Sequence, residues 1–185
     1  MPLFIFCLFI DFLYEIHYND IMVILGFDPG IATLGYGVIN KEKNGKIQML
    51  DYGIVSTPKE DNLAVRLTML ERGITQVIEK FKPDEIAVEE LFFAKNVKTG
   101  IAVAHARGVL ILTAQKLCPR LYEYTPLQIK QALTGYGRAD KNQIQQMVKT
   151  MLGLKGIPRP DDAADALAVA LTHAQTSKIG NLFKI

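Results

Sequence analysis

A chain of 185 residues is expected to form one domain, and it is large enough for a full core. With 49% apolar and 22% charged residues it has the balance of a soluble globular protein, not of a disordered or fibrous one. The net charge of +2 hides an asymmetry: residues 1–21 hold Asp11, Glu15 and Asp20 but no Lys or Arg, so the remainder carries 21 basic against 16 acidic residues and leans mildly toward a polyanionic partner.

The first stretch reads as foreign to the rest. Pro2 to Ile10 is apolar, but Asp11 stops it well short of the roughly 20 residues a membrane span needs. It has neither the positive start nor the small-residue cleavage site of a signal peptide. Met22 stands directly before the first core strand. Residues 1–21 are therefore expected to be an extension upstream of a natural start at Met22; the rival reading is a genuine arm docked on the body. Cys7 and Cys118 form no CxxC and no zinc set, which fits a reduced, cytoplasmic setting with no membrane.

Val23-Ile24-Leu25-Gly26-Phe27-Asp28-Pro29-Gly30 reads as a buried strand ending in a carboxylate and a sharp turn. Leu34 to Ile39 is a second strand. Asn44-Gly45 signals a hairpin, and Ile47 to Val55 is its third strand. The period then changes to 3.6: Leu63, Leu67, Leu70, Ile74, Val77, Ile78 and Phe81 share one helix face, capped by Asp61 or Asn62 and ended by Lys82-Pro83. Glu85 to Glu90 is a short buried strand, expected to lie parallel to one already in the sheet.

Residues 98–117 form a helix that is apolar almost all round, so it is either sandwiched within the domain or turned toward another subunit. Arg120 to Thr125 is the fifth strand. Pro126 to Leu133 and residues 141–152 are helices joined by the partly basic loop Gly135 to Lys141. After a linker from Gly153 to Pro160, a last helix runs from Asp161 to about Gln175. The domain is taken as 22–175, with 176–185 expected to fray. The expected fold class is α/β: a mixed five-stranded sheet, three antiparallel strands followed by parallel additions, with helices on both faces.

Carboxylates stand at the ends of three core elements: Asp28, Glu89 (with Glu90 beside it), and Asp161-Asp162-Ala163-Ala164-Asp165. Each has a dull explanation alone. Asp28 could form an Asx turn, Glu89 or Glu90 could sit at a solvated strand end, and Asp161 and Asp162 could cap a helix. Asp165 is harder to dismiss, because packing residues flank it and an unpaired buried acid is costly. If the first and fourth strands are neighbours, Asp28 and Glu89 lie side by side and repel. Oxygen ligands without His or Cys select Mg²⁺ or Mn²⁺ over Zn²⁺. Two such ions about 4 Å apart are a standard device for phosphodiester hydrolysis.

The ordered set Gly26-Phe27-Asp28-Pro29-Gly30, Gly35-Tyr36-Gly37, Ala87-Val88-Glu89-Glu90-Leu91-Phe92-Phe93-Ala94-Lys95-Asn96, Ala106-Arg107-Gly108 and Asp162-Ala163-Ala164-Asp165-Ala166-Leu167-Ala168 resembles the RuvC family of crossover junction endodeoxyribonucleases. The resemblance runs from Met22 to about Gln175. It implies a ribonuclease H-like fold, two Mg²⁺ ions per site with Mn²⁺ as substitute, a homodimer, four-way junction DNA as substrate and the RuvAB branch-migration complex as partner. It places the catalytic and metal-binding acids on Asp28, Glu89, Asp162 and Asp165. Asp161 offers a competing i,i+4 pair with Asp165, but Asp162 keeps the family's Asp-Ala-Ala-Asp run.

Phe92-Phe93 with Lys95 and Lys98 suit stacking on unpaired bases and phosphate contact, with packing into the core as the alternative for the Phe pair. The resemblance assigns stacking to Phe92 and junction contacts to Lys130 and Lys141, with Arg138, Lys149, Lys155 and Arg159 as weaker extensions. Resolving a junction takes two opposed nicks, and a twofold dimer supplies two sites. Helix 98–117 is expected to contribute to that interface, with Gly100, His105 and Gly108 allowing close approach. The nearest rival is another ribonuclease H-like nuclease acting on RNA–DNA hybrid or structured RNA. A sugar kinase or actin-like ATPase would need a second phosphate loop and domain, for which there is no room. A non-catalytic junction binder would gain nothing from four acids beside phosphate.

Overall fold

The computed structural model describes residues 21–91, 97–176 and 183–185. The expected extension up to residue 20, and the Phe92 and Lys95 assignments, lie outside the described residues.

Strands β1 (Ile21–Asp28), β2 (Thr33–Glu42) and β3 (Ile47–Ser56) form the antiparallel meander. Helix α1 (Leu63–Phe81) leads to β4 (Glu85–Glu89), α2 (Val97–Leu117) to β5 (Leu121–Tyr124), and α3 (Pro126–Thr134), α4 (Lys141–Met151) and α5 (Asp161–Thr176) follow. The five strands lie in the order β3-β2-β1-β4-β5, with β4 parallel to both β1 and β5. This is the ribonuclease H-like arrangement read from the sequence.

Alternation along β1 separates two cores. Ile24 faces the layer of α3, α4 and α5, with Tyr124, Ile129, Val148 and Leu167. Leu25 and Phe27 face α1 and α2, with Leu70, Ile74, Ala106 and Leu110. Helix starts follow their caps: the Asn62 side chain accepts from Val65 N at 3.1 Å, while Thr125 with Gln128 and Asp140 with Gln143 close reciprocal capping boxes. Lys82, at φ 45°, ends α1 in the left-handed conformation.

Helix α5 is the central packing element. Leu167, Val169 and Leu171 are fully buried, each worth ~2 kcal/mol of apolar burial. The helix backbone comes unusually close to β1 and β2. A Cβ placed on Gly26 would stand 2.2 Å from the carbonyl oxygen of Ala166. Only glycine at that strand position lets the helix settle against the sheet.

One expectation changes. The end of the chain does not simply fray: Lys184 bridges Tyr122, Glu123 N donates to Phe183 O at 2.8 Å, and the Phe183 ring lies 4.9 Å from that of Tyr124. Strand β5 is the sheet edge, and residues 183–185 use its free backbone groups. Of the two readings of the apolar helix α2, sandwiched within the domain or with one face free, the second holds within the described residues. Ala106, Leu110 and Ala114 are buried against α1 and the sheet, while Ile101 and Leu112 are 55% and 58% exposed.

Candidate active site

Parallel pairing sets Phe27 opposite Val88, so the next residues, Asp28 and Glu89, end adjacent strands at the same sheet edge. The first two turns of α5 arrive there carrying Asp162 and Asp165. The strand pleat separates the two neighbouring glutamates. Glu89 faces the acids, whereas Glu90 lines a hollow with Leu91, Ala104, Arg107 and Glu123 on another side.

The cluster is electrostatically strained. Burial, then the charges of Glu89, Asp165 and Asp162, push the Asp28 carboxyl up to about 8. Burial and the charge of Asp165 raise Glu89 to about 7, against the pull of Lys141 and Lys130. Asp165 is also raised, by burial first, although it accepts from the Lys141 ammonium at 2.9 Å. Asp162 accepts from the Thr33 hydroxyl at 2.8 Å. Thr33 escaped the sequence reading, although its place just after the Asp28-Pro29-Gly30 turn was a usable signal.

The remaining candidates divide clearly. Lys130 and Lys141 line a cavity of about 180 Å³ together with Glu89, Ile144 and Asp165. Asp161 is occupied elsewhere: it pairs with Arg159, accepts from Gln145 Nε2 at 3.2 Å and lies 3.4 Å from the Lys141 ammonium. Asp162 is thus the one held at the sheet edge, against β2. Arg138 and Lys155 are exposed.

An oxygen-only donor set, half-buried and crowded enough for its members to repel, fits a hard divalent cation. Among the described residues no three acids already close on a common point in metal-binding geometry. Thr33 engages Asp162 and Lys141 engages Asp165. Among these residues, too, no helix is long and apolar enough to cross a membrane.

Residues 24–173 match the family described as crossover junction endodeoxyribonuclease RuvC. The chain belongs to the RuvC family. Its relatives include the crossover junction endodeoxyribonuclease RuvC of Alkaliphilus oremlandii, 54% identical over 164 residues, spanning 89% of this chain and 99% of the relative. The RuvC of Clostridioides difficile is 53% identical, covering 88% and 96%. Among solved structures, Thermus thermophilus RuvC in complex with Holliday junction substrate superposes with a TM-score of 0.81 at 38% identity, over 88% of this chain and 98% of that one. RuvC membership accounts for the ordered motifs from Gly26 to Ala168, and the α/β fold described above is the family's.

Proposed function

We propose that this chain is a Holliday junction resolvase, nicking two opposed strands of four-way junction DNA symmetrically in homologous recombination and DNA repair. The observation that carries the reading is the meeting of Asp28, Glu89 and Asp165, each pushed up in pKa first by burial and then by neighbouring carboxylates, at one sheet edge of a RuvC-family chain. Asp28, Glu89, Asp162 and Asp165 would hold two divalent cations, Mg²⁺ or in its place Mn²⁺. Bound there, the ions supply an activated water and stabilise the leaving oxygen in phosphodiester hydrolysis.

The chain's own residues do the rest. Lys130 and Lys141 stand at the cavity mouth, where they can draw a phosphate toward the acids. Thr33 fixes the rotamer of Asp162. Phe92 and Lys95, on the stretch that follows Glu89, are assigned to base stacking and phosphate contact.

The test is cleavage of a mobile synthetic four-way junction by the full chain. In Mg²⁺ we expect paired nicks in opposed strands, and in excess EDTA binding without cleavage. An RNA–DNA hybrid should remain intact. Cutting of the hybrid with an untouched junction would overturn the substrate assignment while leaving the nuclease reading in place.

Symmetric nicking needs two sites, and α2 supplies a face for pairing. Ile101, His105, Gly108 and Leu112 fall on one exposed stripe, and a Cβ on Gly108 would meet nothing within 4 Å. A homodimer across this stripe, working beside the RuvAB branch-migration complex, completes the proposal. Leu112→Glu is expected to yield a monomer in light scattering at micromolar concentration, with the fold intact by circular dichroism. A wild-type protein that is itself strictly monomeric there would remove the dimer.

A further inference from the structure

The acids stand at one end of the packing between α5 and β4. A second polar cluster, largely buried, stands at the other end. His173 of α5 is 0% exposed. Its Nε2 lies 2.6 Å from Oε2 of Glu85, the first residue of β4. A carboxylate only accepts, so Nε2 carries a proton and donates it. On the other side, Nδ1 is 2.7 Å from the Tyr124 hydroxyl, and the Thr176 hydroxyl lies 2.9 Å from the same oxygen. The Tyr122 ring stacks on the imidazole at 4.3 Å, and its hydroxyl donates to Glu85 Oε1 at 3.4 Å. The His173 hydrogen bond holds the Glu85 carboxyl below its usual range. Both ring nitrogens and both carboxylate oxygens therefore have partners, and cleavage as proposed uses none of these groups.

The spacing gives the cluster a purpose. Glu85 and Glu89 are four residues apart on one strand face, a separation of about 13 Å. Asp165 and His173 are eight residues apart on α5, about 12 Å along its axis. Helix and strand run in opposite directions. When His173 meets Glu85, Asp165 is consequently brought level with Glu89. Between these two ends the core holds Ala87 from the strand and Ala168, Val169 and Ala170 from the helix, mostly small side chains. Such a row, with Val169 as its one larger member, makes shallow ridges that resist an axial slide weakly. A short, directed hydrogen bond resists it well.

We propose that His173 and Glu85 are positioning residues: a register lock that fixes α5 along β4 and so holds Asp162 and Asp165 level with Asp28 and Glu89. The inference rests on reading the four acids as the active site. Thr176, Tyr124 and Tyr122 hold the lock in place.

The experiment compares wild type with Glu85→Gln, which keeps an oxygen to accept from Nε2, and with His173→Leu, which removes the lock. Leu171→Ala is the control: it takes packing from the same helix and leaves the lock alone. Each protein is read by thermal midpoint, junction binding in EDTA, calorimetric Mg²⁺ titration and cleavage rate against Mg²⁺. We expect His173→Leu to weaken Mg²⁺ binding about tenfold, the scale seen when an outer partner of a metal ligand is lost. Glu85→Gln should move in the same direction by a smaller factor, and junction binding should stay within about twofold of wild type in both. Leu171→Ala should lower the thermal midpoint without moving the Mg²⁺ dependence. If His173→Leu does not fold, Glu85→Gln decides. Unshifted Mg²⁺ dependence in the lock variants, or an equal shift in Leu171→Ala, would overturn the lock while wild-type cleavage kept the active-site reading alive. Wild-type protein that neither binds Mg²⁺ nor cuts the junction would take both readings down together.

Discussion

Replacing Asp28 with asparagine is expected to abolish junction cleavage and, in metal-free buffer, to make the protein more stable. The two effects have one cause. Asp28 is half-buried beside Glu89, Asp165 and Asp162, and its carboxyl is pushed from 3.8 to about 8. A carboxyl with a raised folded-state pKa adds stability that is fully present below its ordinary pKa. That stability is lost as pH rises through the folded value. Metal-free wild type should therefore lose thermal stability progressively between roughly pH 4, where these carboxyls ionise in the unfolded chain, and pH 8, where Asp28 ionises in the folded one. Asparagine keeps the shape and never ionises. At pH 8.5 without metal, Asp28→Asn should melt about 3–10 °C above wild type, and near pH 4 the two should converge. Mg²⁺ should raise the wild-type midpoint more than the variant's. Cleavage should fall by about a thousandfold or more, as expected when a group acting in the transition state is removed. Scanning calorimetry across pH, with and without Mg²⁺, reads the stability half. A variant less stable than wild type at pH 8.5 would show that the site does not hold its acids under repulsion.

The same physical contrast explains what the sequence makes legible. The meander, the change of period at Leu63 and the helix ends at Asn62 and Lys82 follow from local rules, and the structure keeps them. The grouping of Asp28, Glu89, Asp162 and Asp165 was readable because acids at the ends of apolar elements have no packing reason to be there. Glu89 and Glu90 could not be separated with certainty until the pleat of β4 sent them to different sides. His173 stayed hidden for the opposite reason. A single histidine in an alanine-rich helix looks like an ordinary core residue. Its partner Glu85 lies 88 positions earlier in the chain, and no local pattern joins them. The terminal pairing of residues 183–185 with β5 was equally invisible, since the free edge it uses belongs to the folded sheet. The pairing of Asp161 with Arg159 and Lys141, away from the sheet edge that holds Asp162, also needed three dimensions.

Gly35→Ala should damage both fold and activity, although it adds one methyl group. Gly35 pairs with Asp28 across β1 and β2. On its other side lies the first turn of α5, where an added Cβ would stand 2.0 Å from the carbonyl oxygen of Asp162 and 2.5 Å from its carbonyl carbon. Those are backbone atoms and cannot swing aside as a side-chain tip would. The helix end must retreat by about 1 Å, taking Asp162 away from Thr33 and from the other acids. Overpacking of this kind costs about 3 kcal/mol, or roughly 6–12 °C in thermal midpoint for a chain of this size. A 1 Å misplacement at a reacting centre is worth about a hundredfold in rate, so cleavage should fall by that factor even at temperatures where the variant is fully folded. Gly156→Ala is the matched control, because a Cβ there meets nothing within 4 Å. It should change neither midpoint nor rate appreciably. A Gly35→Ala protein with wild-type cleavage at saturating Mg²⁺ but a lowered midpoint would mean that β2 yields instead of α5. The acids would then be held by contacts deeper in the helix, where His173 and Glu85 lie, and not by the fit of its first turn.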